Sequence, residues 1–155
     1  MKLNIYPKTN NTYLKKKVNT KEYFKIIIKY LTKYKEDLHL ADIGCASGDF
    51  LKILSNKKNF FLTGVDFSKA SLKIAKKKVP EANFILQDLK TKINLGKKFD
   101  ICTCLGTLSA FDDKFKIIYK LINLVKKGGE LIIFDLLNEH DVNVLIRYQK
   151  NYENK

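Results

Sequence analysis

From residue 38 onward the hydrophobic pattern keeps switching period, and this alternation limits the fold more than any other feature of the chain. Five short apolar runs, Leu38–Ile43, Phe60–Val65, Ala82–Leu86, Phe99–Cys104 and Leu131–Phe134, read as buried strands. Amphipathic stretches separate most of them. One helix is predicted from Asp49 to about Leu54, and another, capped by Ser68, runs through Leu72, Ile74, Ala75 and Val79 to Pro80. A third spans Lys114–Lys126, with Gly128-Gly129 as its stop. Before the first strand, Tyr23 to Leu31 repeats apolar residues at helical spacing, which predicts a helix from about Thr20 to Tyr34. Residues 1–19 read as an irregular basic segment and 20–155 as one domain. Strand–helix–strand units require right-handed crossovers, so the expected fold is α/β, doubly wound, with a mostly parallel sheet and helices on both faces. Ligands of such sheets bind beyond the carboxyl ends of the strands.

Acidic residues recur at those ends. Asp42 lies near the end of the first strand, Asp66 ends the second, Asp88 the third and Asp135 the fifth. Their recurrence on one edge is notable in a chain of formal net charge +14. Glycine concentrates in the same places: Gly44 and Gly48 in the first strand–helix turn, Gly64 in the second strand, Gly106 after the fourth. Glycine suits sharp turns and close approach of backbone to a ligand.

The charge itself is a weaker guide. Of 30 basic residues only Arg147 is arginine, and the chain is rich in Asn, Ile, Phe and Tyr with no Trp. That is the residue set written by A/T-rich codons. Nucleic-acid readers favour arginine for bidentate and stacking contacts, so solvated lysine faces are the preferred reading and nucleic acid a less favoured partner. Cys45, Cys102 and Cys104 form no disulfide framework and no zinc spacing, and read as reduced, small apolar residues. Neither a membrane span nor a secretory signal is apparent, so no membrane partner is expected and cytoplasm is the expected location.

The first turn reads Asp42-Ile43-Gly44-Cys45-Ala46-Ser47-Gly48 and is not the dinucleotide fingerprint. Asp66 follows Gly44 by 22 residues, where a carboxylate can accept from the two hydroxyls of a ribose. Asp88, at the third strand tip, can accept from an adenine amino group, with Phe67 and Leu89 as apolar walls.

Five segments, Leu40–Gly48, Gly64–Ser68, Asn83–Asp88, Phe99–Gly106 and Lys126–Leu131, together resemble the successive motifs of class I S-adenosylmethionine-dependent methyltransferases, in order and at the expected separations. The likeness covers about Thr20 to Leu137. It implies a Rossmann-like sheet of order 3-2-1-4-5 and S-adenosyl-L-methionine as cofactor, with S-adenosyl-L-homocysteine as product and no metal. Carried over by position, Gly44, Cys45, Ala46, Ser47 and Gly48 would pass close to the methionine part, with Asp42 orienting its ammonium. Asp66 would hold the ribose, Phe67 would line the adenine pocket, and Asp88 would bind the adenine amino group beside Gln87 and Leu89. Cys104 and Leu105 would close the methionine side.

The catalytic residue is not readable. Small-molecule relatives often carry histidine soon after strand four, where this chain has Thr107–Phe111; His140 is the remaining candidate. No Asn/Asp-Pro-Pro-Tyr/Phe and no Pro-Cys follows strand four, which argues against DNA-base methylation. The expected reaction is methyl transfer to an oxygen or nitrogen of a small molecule, such as a sugar or surface-polysaccharide precursor. RNA or protein methylation, a non-catalytic adenosyl-binding fragment, and a nicotinamide-dependent oxidoreductase are the alternatives. Relatives add two strands after the fifth, and here about 20 residues remain, enough for a helix or one strand. The chain is therefore expected to lack the last two strands and to be incomplete at its C-terminus. The apolar edge of strand five should be covered by the C-terminal segment or by a second copy in a dimer.

Overall fold

The computed structural model describes residues 22–57, 59–136 and 143–149, with 136 and 143–149 described by their backbone. The irregular segment 1–19, the Thr20 cap and His140 lie outside the described residues. Helices α1 (Glu22–Leu31), α2 (Asp49–Leu54), α3 (Lys69–Lys78) and α4 (Lys114–Ile122) accompany six strands. These are β1 (Leu38–Ile43), β2 (Phe60–Asp66), β3 (Asn83–Leu86), β4 (Phe99–Leu105), β5 (Val125–Leu136) and β6 (Asn143–Gln149).

The strands form one sheet of order β3-β2-β1-β4-β5-β6. The first five are parallel, as the βαβ alternation requires, and take the order 3-2-1-4-5. Alternate residues along each strand feed two apolar layers. Leu40, Ile101 and Ile132 pack under α1, α2 and α3; Ala41, Cys102 and Ile133 pack toward α4. The three cysteines are buried and unpaired, and burial pushes the Cys102 thiol up to about 12 and raises those of Cys45 and Cys104.

Two boundaries differ from the sequence expectation. Helix α4 ends at Ile122 with Asn123 as its C-cap, so Gly128-Gly129 is not its stop. Val125 already pairs with Phe99, and the ladder resumes at Glu130 opposite Ile101. Residues 126–129 are an irregular excursion of β5, across which its register against β4 shifts. Gly129 is required there, because a Cβ would stand 2.6 Å from the Asp100 carbonyl oxygen. The apolar character of Val125 belongs to the sheet rather than to the helix, a distinction that helical periodicity does not make.

Beyond β5, where the resemblance places an antiparallel pair, the described residues hold one antiparallel strand, β6, running from Leu136↔Asn143 to Glu130↔Gln149. The outer edge of β5 is therefore paired within the chain. Any dimer built on this end of the sheet uses the outer edge of β6.

Candidate functional site

A cleft of about 560 Å³ opens at the carboxyl edge of the parallel strands. Its floor is the β1–α2 turn. Gly44 and Cys45 donate their N–H groups to the Val65 carbonyl at 2.7 and 3.0 Å, tying the turn to β2. Gly44 has φ +80°, and a Cβ there would stand 2.1 Å from Thr107 Oγ1. Bare backbone at this position lets Thr107 sit directly over the turn. Ala46 takes a positive φ of 47°, unusual for a residue with a side chain. Its N–H donates to Asp66 Oδ2 at 2.9 Å, so one carboxylate both shapes the turn and lines the cleft.

Asp66 Oδ1 also accepts the Ser68 N–H at 2.8 Å. Burial raises its carboxyl above the ordinary carboxylate range, while backbone N–H groups of Ser68, Ala46 and Phe67 oppose that shift. A buried carboxylate of this kind gains from further donors, since each favours its ionised form. Asp42, 3% exposed, lines the same cleft and accepts the Thr103 hydroxyl at 2.8 Å. Asp88 is exposed at the β3 tip, where its Oδ1 accepts the Lys90 N–H at 2.8 Å. Phe67, half exposed, and buried Leu89 supply apolar walls.

The structure thus gathers Asp42, Gly44, Cys45, Ala46, Asp66, Phe67, Gln87, Asp88, Leu89 and Leu105 around one cleft. Three expected site residues stand elsewhere. Cys104 is fully buried in the apolar layer on the α4 side, because strand alternation turns it away from Leu105 at the tip. Ser47 is 2% exposed, its hydroxyl near Asp49, which itself lines the cleft, and Lys78. Gly48 caps α2 against Ala75. Gln87 lines the cleft, but its Nε2 already donates to Asp88 O, Thr91 Oγ1 and Lys92 O, so the amide serves the loop.

The fourth acid of the set has another task. Asp135 is 3% exposed and is not part of the cleft wall. Its Oδ2 accepts the N–H groups of Leu108 and of Ser109, the latter at 3.2 Å, at the start of a short 3₁₀ turn (Leu108–Ala110). That turn carries Thr107, Ser109, Ala110 and Phe111 into the cleft wall. No motif in the sequence marks these residues as a site, and the available signal is their place after a parallel strand. Phe24 of α1 also reaches the cleft, and its helical spacing had marked it only as core. His39 sits at the opposite end of β1, stacked on Phe61 at 5.0 Å.

The residues fit an adenosyl cofactor on their own chemistry. The volume lies in the range of small-ligand sites, about 300–1,000 Å³, and the wall combines apolar side chains with a few carboxylates. No group of three or more potential metal-binding side chains stands among the described residues. No helix among them is long and apolar enough to cross a membrane.

Comparison with known proteins agrees with this geometry. A demethylmenaquinone methyltransferase of Thermotoga maritima is 28% identical over 97 residues, covering 62% of this chain and 42% of that protein. A ubiquinone/menaquinone biosynthesis C-methyltransferase of Campylobacter jejuni is 28% identical over 107 residues, 65% of this chain and 46% of its own length. Among solved structures, the plantazolicin methyltransferase BpumL in complex with S-adenosylhomocysteine superposes with a TM-score of 0.59 at 26% identity, over 74% of this chain and 43% of that one. The chain spans less than half the length of these relatives. A [4+2]-cyclase, 18% identical with a TM-score of 0.64, shares the fold alone. A family model described as a methyltransferase domain matches residues 34–154, and with the sheet order and the cleft described above this chain belongs to that family, the class I fold of S-adenosylmethionine-dependent methyltransferases.

Proposed function

We propose that the cleft binds S-adenosylmethionine and that the chain takes part in methyl transfer to a small-molecule acceptor. The observation that carries this is the meeting of three strand-tip carboxylates, Asp42, Asp66 and Asp88, around one cleft of a lysine-rich chain; a fourth, Asp49 of α2, also lines it and is paired with Lys78. When bound, S-adenosylmethionine supplies a methyl group on a sulfonium that is already a good leaving group. Asp66 accepts from the ribose hydroxyls, Asp88 from the adenine amino group, and Phe67 and Leu89 flank the ring. Asp42 and the turn at Gly44–Ala46 face the amino-acid end. The protein's contribution is alignment and exclusion of water, which in well-oriented systems is worth roughly 7–11 kcal/mol of barrier.

The acceptor side is the turn after β4, where Ser109, Ala110 and Phe111 line the cleft. The comparators named for quinones and plantazolicin support a small-molecule acceptor, and the one named a C-methyltransferase widens the atom methylated beyond oxygen and nitrogen to carbon. A sugar precursor remains within that class. The domain reading, residues 20–155 with an irregular basic segment before it, goes with this proposal, as does a cytoplasmic site of action, supported by three unpaired, buried cysteines. Calorimetry with S-adenosylmethionine, S-adenosylhomocysteine and NAD tests it. Binding of the two adenosyl sulfur compounds and not of NAD is expected, and Asp66→Ala should abolish it while the variant still unfolds cooperatively. Tight binding of NAD, or retained binding in Asp66→Ala, sinks the assignment.

A further inference from the structure

Beyond the cleft, one lysine is unlike the solvated lysines that make up most of the charge. Lys120 on α4 directs its Nζ to three backbone carbonyls of the loop after β3: Leu89 at 2.8 Å, Lys90 at 3.1 Å and Thr91 at 2.8 Å. An ammonium has three protons, and all three are matched here. Three successive carbonyl dipoles aimed at one point repel one another, and the ammonium cancels that repulsion. Arginine, with its planar fork, does not fit such a convergent set.

Lys120 is itself firmly placed. Its neighbours on the helix, Ile117 and Leu121, are buried in the core, at 4% and 0% exposure. The loop it holds is gripped on its other side by the Gln87 amide, which donates to Asp88 O and Lys92 O at 2.9 and 3.3 Å. Within the loop, Thr91 Oγ1 donates to Asp88 O at 2.8 Å. The segment so clamped carries Asp88 and Leu89 into the cleft, whereas Lys120 does not line it.

We infer that Lys120 is a positioning residue for base recognition: it fixes the loop that aims Asp88 at the exocyclic amino group of the bound nucleoside. This rests on the reading of Asp88 as the adenine partner. Ribose and amino-acid contacts come from Asp66 and the β1–α2 turn, on other elements, so loss of Lys120 should weaken discrimination at the base and leave the remaining contacts in place.

The test compares two ligands by calorimetry, S-adenosylhomocysteine and its analogue with hydrogen in place of the adenine amino group. Wild-type protein should prefer the former by about tenfold, the usual worth of one such hydrogen bond to a charged group. Lys120→Met keeps the aliphatic stem and the helix propensity. It should lower affinity for S-adenosylhomocysteine about tenfold, change the analogue's by less than about twofold, and so erase the preference. In the ligand-free variant, amide exchange at Lys90 and Thr91 should quicken while that at Leu121 stays unchanged. If wild-type protein shows no preference, the Asp88 reading falls and the proposal with it. If wild-type protein discriminates and Lys120→Met discriminates equally, or loses both ligands in parallel, Lys120 has no positioning role although the Asp88 reading stands.

Discussion

Gly44 shows how one residue serves both fold and site. Its φ of +80° disfavours any side chain, and the space a Cβ needs is held by Thr107 Oγ1 at 2.1 Å. Gly44→Ala should therefore cost about 2–4 kcal/mol, combining left-handed strain with overpacking, read from urea unfolding. Thr107→Gly in the same chain should recover the overpacking share but not the strain share, since the two sites touch and couple. Asp66 makes a pH prediction. Burial raises its carboxyl in the fold, so the native state holds a proton that the unfolded chain has lost. Its contribution to stability is thus present below the ordinary carboxylate value and lost as pH rises through the raised one. Measured against Asp66→Asn, which does not ionise, wild-type protein should gain stability as pH falls through that window. If Asp66 accepts from ribose as proposed, cofactor affinity should run the other way, weakening as that carboxylate becomes protonated. Stability differences that are flat with pH would show that Asp66 is not buried as described.

At the scale of elements, the turn after β4 is hung from β5 and seated on the β1–α2 turn. Asp135→Ala removes the acceptor of two N–H groups at its start, so a loss of about 2–3 kcal/mol is expected, with faster amide exchange at Leu108 and Ser109. At the far end of the sheet, Asp100 joins three strands. Its Oδ2 accepts the His39 N–H at 2.9 Å, and Lys126 of the β5 excursion lies 2.9 Å from Oδ1. Partial burial pulls this carboxyl upward, but Lys126 and the His39 N–H outweigh it, and the net position is below the ordinary value. The sign is opposite to that of Asp66: stability from Asp100 is present above the ordinary carboxylate value and lost as pH falls through the lowered one. Asp100→Asn should flatten that acid limb of the unfolding profile. Helix α1 is docked through a different buried acid, Glu130, which accepts the Tyr30 hydroxyl at 2.6 Å.

For the whole molecule, the charge of +14 and the edges of the sheet set the behaviour. Lysine faces such as Lys69, Lys73, Lys76 and Lys77 on α3 are solvated, with no aromatic stacking partner among them. RNA binding should accordingly be weak and vanish between 50 and 200 mM salt (orders of magnitude for phosphate contacts), while affinity for S-adenosylhomocysteine holds, a contrast that filter binding and calorimetry can read. Specific RNA binding that survives that salt range would favour a nucleic-acid acceptor instead. The outer edge of β5 is closed by β6 over seven residue pairs. A chain ending at residue 142 should expose a long apolar edge and associate, seen as a rise in light scattering.

The order of strands and helices, the parallel sheet and the row of acids at its edge were legible in the chain. Each depends on local period or on a short segment ending at a strand tip, and short-range spacing carries that information. What needed the tertiary structure was the direction and company of individual side chains. Leu105 and Cys104 are neighbours in sequence, yet one lines the cleft and the other is sealed in the core, since the pleat turns them to opposite sides. Asp66, Asp88 and Asp135 look alike as strand-tip acids. Only packing makes the first a cleft carboxylate that also shapes a turn, the second the tip of a loop clamped from α4, and the third a buried anchor for the opposite wall. Those roles are decided by contacts between residues 20 to 31 positions apart, which no local pattern encodes.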